Sequence, residues 1–311
     1  MGKNARLCAL VPAMLLLCAC APRVESPAKD TPAPVEILEL APVLDTPAPT
    51  GEPDMLFEDD GDMYFSEAFY TTFAEKTFAF DHAPRVLIYH THAKEAFREA
   101  GDAVETTAAG RGKGKPGATA DPAATPTATP TFRSDDPEET VVHLGALLAE
   151  ALTARGFTVF HDATDVEAPA LSTAYERSLF IMQRYDDIDL YIDLHRNAAN
   201  VERAKDDVAT IAGERVARMF FVVGTGLTAA DGGSELPNWR ENYVLARSLT
   251  EALAQVDAAL VKPVRVKQKA YNQQTGLCLL AEIGHNANLL TDAENTIPYF
   301  ADALAQVIAF P

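Results

Sequence analysis

The sequence predicts an α/β fold, with a mainly parallel sheet and helices on both of its faces. Short apolar runs of the buried-strand type alternate with longer helical patterns along residues 84–311. Strands that alternate with helices form crossover units, and the helices of such units cover a parallel sheet. Three of the apolar runs also end in ionisable residues, and active sites in these sheets gather at the carboxyl ends of strands.

The elements are predicted in chain order from Arg85 onward. The apolar run at 86–89 is typical of a buried strand. Pro137 and its acidic neighbours favour the first turn of a helix, and Gly156 favours its end. The full prediction comprises strands at 86–89, 158–160, 190–194, 219–223 and 277–283, and helices at 136–155, 171–185, 238–254 and 291–309.

Residues 1–20 have the features of an export signal that ends in a lipid acceptor. Lys3 and Arg6 precede an apolar stretch that is too short to span a bilayer, which needs about 20 apolar residues. Its end, Leu17-Cys18-Ala19-Cys20, resembles the lipobox of bacterial lipoproteins, with Cys20 as the acylated residue. We therefore expect an extracytoplasmic protein, lipid-anchored to the outer face of the cell membrane. The alternative is an ordinary secretory signal with incidental cysteines.

Charge and cysteine content exclude several kinds of site. The formal net charge of −19 argues against nucleic acid as a partner, because phosphate binding needs clustered Lys and Arg. Cys8, Cys18 and Cys20 lie in the signal, so only Cys278 remains in the body of the chain. We therefore expect neither an internal disulfide nor a zinc site of the Cys-x-x-Cys kind there.

Two segments of biased composition precede or interrupt the predicted domain. Residues 21–83 begin as a Pro-rich stretch that we interpret as an extended tether. They continue as an aromatic lead-in, which either packs on the domain or forms a short helix. The stretch at about 100–131 is of low complexity, rich in Ala, Thr, Gly and Pro. Because such a long structureless stretch is uncommon inside a compact domain, we interpret it as an insertion within one domain at 84–311.

Ionisable residues follow three of the predicted strands. The motifs are His90-Thr91-His92 with Glu95 close behind, Asp193-Leu194-His195-Arg196, and Glu282-Ile283-Gly284-His285. Parallel strands would bring these ends to one edge of the sheet. A catalytic zinc takes three His or carboxylate ligands, and a nearby carboxylate can move the proton of the attacking water. His-x-His on a strand puts both rings on one face, so His90 and His92 are both candidate ligands.

Four stretches, in order, resemble the sporulation stage II protein P (SpoIIP) family, whose catalytic domain belongs with the zinc N-acetylmuramoyl-L-alanine amidases. The first is the strand from Val86 with its His-Thr-His-Ala-Lys-Glu turn, and the second holds Asp-Leu-His-Arg-Asn at 193–197. The third joins the strand at 221–225 to Pro-Asn-Trp at 237–239. The fourth joins Tyr-Asn-Gln at 271–273 to Glu-Ile-Gly-His-Asn at 282–286. Together they span roughly residues 85–311.

The resemblance implies a zinc amidase-like fold and a set of site residues. By position it makes His92 and His195 zinc ligands and Glu282 the catalytic carboxylate. Glu95 is the expected third ligand, and Arg196 is expected to bind a substrate carboxylate or carbonyl. In related amidases the ligand Glu opens the helix after the first strand, so the acidic group at 135–139 stays an alternative.

Three residues depart from the family pattern without removing a proposed ligand. Ala93, Asn197 and His285 stand where Thr, Asp and Ser are usual in the family. These departures affect the expected substrate contacts more than the expected catalysis.

The implied reaction is hydrolysis of the amide between muramic acid and the stem peptide, with Zn²⁺ as cofactor and peptidoglycan as the principal partner. The implied setting is septal wall remodelling during spore engulfment, alongside other wall-remodelling proteins. Two other functions remain as alternatives. One is a non-catalytic peptidoglycan-binding lipoprotein, and the other is a zinc peptidase that acts on the stem peptide.

Overall fold

The computed structural model describes residues 78–98, 132–198, 207–227 and 235–311, with two further short strands at 56–57 and 62–64. The predicted signal with Cys20, the Pro-rich tether and the insertion at about 100–131 lie outside the described residues. Among the described residues, no helix is long and apolar enough to cross a membrane.

Twelve strands and five helices make up the described part of the chain. The strands are β1 (Leu56–Phe57), β2 (Asp62–Tyr64), β3 (Phe78–Ala79), β4 (Arg85–Tyr89), β5 (Thr158–Asp162), β6 (Leu190–Asn197), β7 (Val208–Ile211), β8 (Glu214–Ala217), β9 (Met219–Gly224), β10 (Arg265–Lys267), β11 (Leu277–His285) and β12 (Ile308–Ala309). The helices are α1 (Val141–Thr153), α2 (Ala174–Met182), α3 (Trp239–Val256), α4 (Leu290–Glu294) and α5 (Ile297–Val307).

An eight-stranded sheet forms the centre of the fold, in the order β1-β2-β10-β9-β11-β6-β4-β5. Strands β5, β4, β6 and β11 are parallel to one another. Strand β9 is antiparallel to β11 and parallel to β10, and β2 and β1 extend the sheet through antiparallel pairs. The sheet is mixed but mostly parallel, which confirms the predicted α/β class.

Three strands come from the segment that the sequence marks as a tether and lead-in. Strand β1 pairs with β2, β2 pairs with β10 of the main sheet, and β3 pairs with β12 near the end of the chain. The described fold therefore extends upstream of residue 84.

Helices cover both faces of the sheet. On one face, Val86 and Ile88 of β4 share a large core cluster with residues of α1, α3 and α5. On the other face, Leu87, Tyr89 and Cys278 pack with Ile181 of α2. This division follows from the strand period of two, which sends successive side chains to opposite faces.

Helix α1 packs unusually close to the sheet at Gly145. The sequence-predicted helix at 136–155 divides into a short 3-10 turn, Pro137–Glu139, and α1 itself, whose first turn is capped by the Thr140 hydroxyl. Beneath Gly145 lie the imidazoles of His90 and His161, whose Nε2 atoms are 2.9 Å apart. A Cβ atom on Gly145 would lie 2.6 Å from each of those nitrogens. Glycine is thus required here by close approach.

We predict that Gly145→Ala destabilises the protein although alanine is the better helix former. Helix propensity alone would favour alanine by about 1 kcal/mol, but forcing a methyl against two buried rings costs about 1–3 kcal/mol. Chemical denaturation should show a net loss of stability. The neighbouring exposed change Ala146→Gly is a control that should show only the propensity cost of about 1 kcal/mol. A gain in stability for Gly145→Ala would contradict the observed packing.

Candidate functional site

The parallel register of β6 and β11 places His195 directly opposite Glu282. Strand alternation puts Asp193 on the same face as His195, and this face also carries Tyr89 and Cys278. Both His195 and Glu282 lie towards the carboxyl ends of their strands. The pair therefore lies at the edge where active sites of such sheets form.

His92 joins this pair from the turn that follows β4. Its ring centre is 5.3 Å from that of His195, and the two ring planes are inclined at 78°. Three buried atoms of this group have no hydrogen-bond partner, namely His92 Nδ1, His195 Nε2 and Glu282 Oε2. Because buried polar atoms are normally satisfied, this concentration of unsatisfied ones marks a functional site.

His195 lies between two carboxylates. Its Nδ1 is 3.2 Å from Glu95 Oε2, and its Nε2 is 3.0 Å from Asp193 Oδ1, close enough for an ion pair but not aligned as a hydrogen bond. Burial disfavours charge on the imidazole, yet the attraction of Asp193 and Glu95 outweighs it and raises the pKa of His195 well above its ordinary value. The two carboxylates therefore hold this ring in position from both sides.

Asp193 is itself held by the turn after β4. The Thr91 hydroxyl donates to Asp193 Oδ2 at 2.6 Å, and the Thr91 amide donates to Oδ1 at 2.9 Å. Burial opposes ionisation of this carboxyl, but His195 and the Thr91 donors lower its pKa. The carboxylate that orients His195 is thus rigid and charged.

Glu95 and Glu282 have opposite electrostatic environments. Burial would raise the pKa of Glu95, but His195 and Arg196 outweigh it and lower that pKa. Burial raises the pKa of Glu282 to about 7, against the attraction of His195. A carboxyl group with a pKa near neutrality can both accept and deliver a proton.

Across the described residues, no three His, Cys, Asp or Glu side chains converge tightly enough to form a ready-made metal-binding group. What the structure shows is a pair of imidazoles flanked by carboxylates. Beside this polar centre lies Glu282, a carboxyl group whose pKa is about 7.

A family model of stage II sporulation protein P (SpoIIP) matches residues 58–305. The chain belongs to the SpoIIP family. Stage II sporulation protein P of Bacillus subtilis (strain 168) is 26% identical over 187 residues, which cover 54% of this chain and 43% of the relative. The chain thus spans less than half of the length of the curated relative that it matches.

Two amidases are among the solved structures to which the chain is similar. The N-acetylmuramoyl-L-alanine amidase AmiC2 of Nostoc punctiforme has a TM-score of 0.38 and 12% identity, covering 73% of this chain and 96% of that chain. The CwlD amidase from Clostridioides difficile, in complex with the GerS lipoprotein, has a TM-score of 0.39 and 13% identity, covering 71% of this chain and 94% of that chain.

The stretches that carry the SpoIIP resemblance lie in the elements that build the site. The His-Thr-His turn follows β4, Asp193 and His195 lie in β6, and Glu282 lies in β11. The structure brings His92, Glu95, His195 and Glu282 together, as the family resemblance implies.

His90 does not belong to this group, so the expectation that both rings of His-x-His share a face is wrong. Strand β4 ends at Tyr89, and the chain turns before His92. His90 is buried beneath α1, where its Nδ1 bonds the Leu194 carbonyl oxygen at 3.0 Å and its Nε2 contacts His161. Burial and the neighbouring His161 lower its pKa to about 3, so it is a neutral core residue.

The acidic group at 135–139 makes its contacts elsewhere. Asp135 pairs with Lys94 at 2.7 Å, Glu138 with His143 at 3.1 Å, and Glu139 with the Ser134 hydroxyl. Glu95, at 3.2 Å from His195, is the better placed of the two alternatives for a third ligand.

Arg196 directs its donors into the protein. Its Nε donates to the Ala96 carbonyl at 2.8 Å, one terminal nitrogen donates to Phe132 at 2.8 Å, and the other donates to Asn197 at 3.3 Å. Its amide donates to Glu95 Oε2 at 3.1 Å. Arg196 therefore positions Glu95 and the turn that carries it, whereas the family resemblance implied contact with substrate.

Three residues of the site had no role assigned from sequence. Glu167 Oε1 lies 3.8 Å from His92 Nδ1, and its other oxygen pairs with Arg133. Tyr175 and Tyr271 pack against each other beside the histidines. Tyr271 was part of a recognised motif, but Glu167 and Tyr175 lie in segments whose patterns carry no catalytic signal.

We predict that Arg196→Lys lowers the free energy of unfolding by about 1–3 kcal/mol, because a lysine cannot reach the separated carbonyls that the guanidinium bonds. Arg184→Lys is the matched control, since Arg184 is half-exposed and reaches the Asp162 carboxylate through a single terminal nitrogen, which a lysine amine can replace. That change should stay within about 0.5 kcal/mol. Equal, small effects of the two changes in denaturant titrations would argue against the positioning role.

Proposed function

We propose that this protein is a zinc-dependent N-acetylmuramoyl-L-alanine amidase, which cleaves the amide between muramic acid and the stem peptide of peptidoglycan. The observation that carries the proposal is the placing of His195 opposite Glu282 with His92 at 5.3 Å, in a member of the SpoIIP family. Hydrolysis of that amide yields the lactyl carboxylate and the free amino group of L-alanine.

The residues present fit a zinc ion. His92, His195 and Glu95 would hold it, because two imidazoles and a carboxylate form a typical catalytic donor set. The buried, unsatisfied Nδ1 of His92 supports the assignment, and His195 would offer its Nδ1, because Asp193 faces its Nε2. When bound, zinc supplies Lewis-acid polarisation of the substrate carbonyl and of water.

The remaining residues move protons and hold the geometry. Glu282 accepts a proton from the attacking water and delivers one to the departing amine, for which a pKa of about 7 is well suited. Asp193 orients His195 in the manner of the carboxylates that support metal-binding histidines. Arg196 positions Glu95 through the backbone of the same turn.

Family membership supports a setting in sporulation, namely septal wall remodelling during spore engulfment. The lipobox supports an extracytoplasmic position, with a lipid on Cys20 and the segment after it as the tether. Peptidoglycan is then the substrate, and other wall-remodelling proteins are the expected neighbours.

We predict that Glu282→Gln lowers the release of stem peptides from purified sacculi by at least about 100-fold, because the amide cannot accept the proton of water. Mass spectrometry of the products should show L-alanine amino termini. Glu294→Gln, a change at a carboxylate that pairs with His143 outside the site, is the control and should keep parental activity.

Two results would contradict the amidase proposal. New amino termini within the stem peptide would indicate a zinc peptidase. Binding of sacculi by the parental chain without any cleavage would indicate a wall-binding protein.

We predict that the purified chain holds one zinc ion and that His92→Ala removes it. Elemental analysis should fall from about one zinc per chain to near zero, and a chelator should lower the melting temperature of the parental chain, because a ligand that binds only the folded state stabilises it. His143→Ala removes a histidine outside the site and should keep the metal. A metal-free, fully active parental chain would rule out the zinc mechanism.

A further inference from the structure

Tyr175 lies in the first turn of α2 and faces the two histidines of the site. Its ring centre is 5.8 Å from that of His92, with the planes at 86°, and 6.5 Å from that of His195, with the planes at 17°. On its other side, Tyr271 packs edge-on at 5.5 Å. The aromatic ring is therefore confined between the histidines and a second tyrosine.

The position of Tyr175 is tied to the hydrogen bonds that hold the site. Asn272 donates to the Tyr175 carbonyl at 2.7 Å and to the Ser178 hydroxyl at 2.8 Å. The Ser178 hydroxyl lies 2.8 Å from that of Thr91, which in turn holds Asp193. The start of α2 and the carboxylate behind His195 thus belong to one buried network.

The backbone that supplies Asn272 is unusual. Tyr271 and Asn272 have φ angles of 49° and 57°, in the left-handed region that non-glycine residues seldom adopt. Such conformations persist where the surrounding structure holds them, and they concentrate at functional sites. Here they place the Asn272 amide under the first turn of α2.

The phenol of Tyr175 is a donor with no assigned acceptor. Among the described residues it makes no hydrogen bond, whereas the phenol of Tyr185 donates to Asp162. A tyrosine phenol keeps its proton at neutral pH and is then a hydrogen-bond donor. With its ring centre 5.8 Å from that of His92 and 6.5 Å from that of His195, Tyr175 can present this donor to a substrate oxygen in the site.

We propose that Tyr175 is a further catalytic residue, whose O–H donates a hydrogen bond to the carbonyl oxygen of the scissile amide as negative charge develops on it. The proposal rests on the proposed amidase function and extends it. Donors that meet such an oxygen act mainly in the transition state, and their loss lowers turnover more than binding. The alternative is a purely steric role for the ring, as a wall that packs against the histidines.

The change Tyr175→Phe in the full chain separates these roles because it keeps the ring and removes only the hydroxyl. With purified muropeptides, we expect kcat to fall by about 100-fold and KM to change by less than about twofold. Zinc content and melting temperature should remain parental. Tyr185→Phe, which removes a phenol bonded at the surface, is the matched control and should keep parental kcat.

A phosphinate analogue of the scissile amide provides an independent measurement. Its affinity should fall in Tyr175→Phe by nearly the same factor as kcat/KM, since it mimics the charge of the transition state. A kcat within about twofold of the parental value, or unchanged analogue binding, would overturn the role of Tyr175 while leaving the amidase proposal intact. Failure of the parental chain to cleave the muramoyl amide would overturn both.

Discussion

The register of β6 between β4 and β11 is the constraint on which the site depends. It sets Glu282 opposite His195 and Asp193 opposite Tyr89. A slip of one residue would send Asp193 and His195 to the other face of the sheet. The same slip would move Leu194, which is completely buried in the main core, out of that core and onto the face of the candidate site. Hydrophobic burial on one face therefore fixes the geometry of the candidate site on the other.

Within this sheet, the charged neighbours of each buried ionisable group determine the direction of its pKa shift. Asp193, Glu95 and His195 stabilise one another, so the two carboxyl pKa values fall and the imidazole pKa rises despite burial. Glu282 lies on the adjacent strand with one unsatisfied oxygen, and there burial prevails. Residues of the same type, such as Glu95 and Glu282, thus acquire different pKa values from their surroundings.

Much of this fold and site could be predicted from sequence, because the ends of buried strands can be recognised from the pattern of apolar and ionisable residues. The apolar runs locate β4, β6 and β11, and parallel pairing brings Asp193, His195 and Glu282 to one edge. The face of His92 could not be predicted, since alternation holds only while the strand continues. His90 keeps to the face of Val86 and Ile88, but the chain turns before His92. Glu167 lies in a loop and Tyr175 in the first turn of a helix. At such positions no periodic sequence pattern predicts where a side chain points. The role of Arg196 likewise depends on which carbonyls surround it.

Arg196 also has a consequence for how this family can vary. Its guanidinium donates to the carbonyls of Ala96 and Phe132, which flank the low-complexity stretch in sequence. The Ala96 amide donates to the same Phe132 carbonyl at 2.9 Å. The two ends of that segment are thereby fixed to each other and to β6. Closing a flexible segment between two fixed ends costs only about 0.6 kcal/mol more for each doubling of its length. Fixed flanks of this kind tolerate lengthening, or the grafting of a foreign domain, a few residues in sequence from the turn that carries His92.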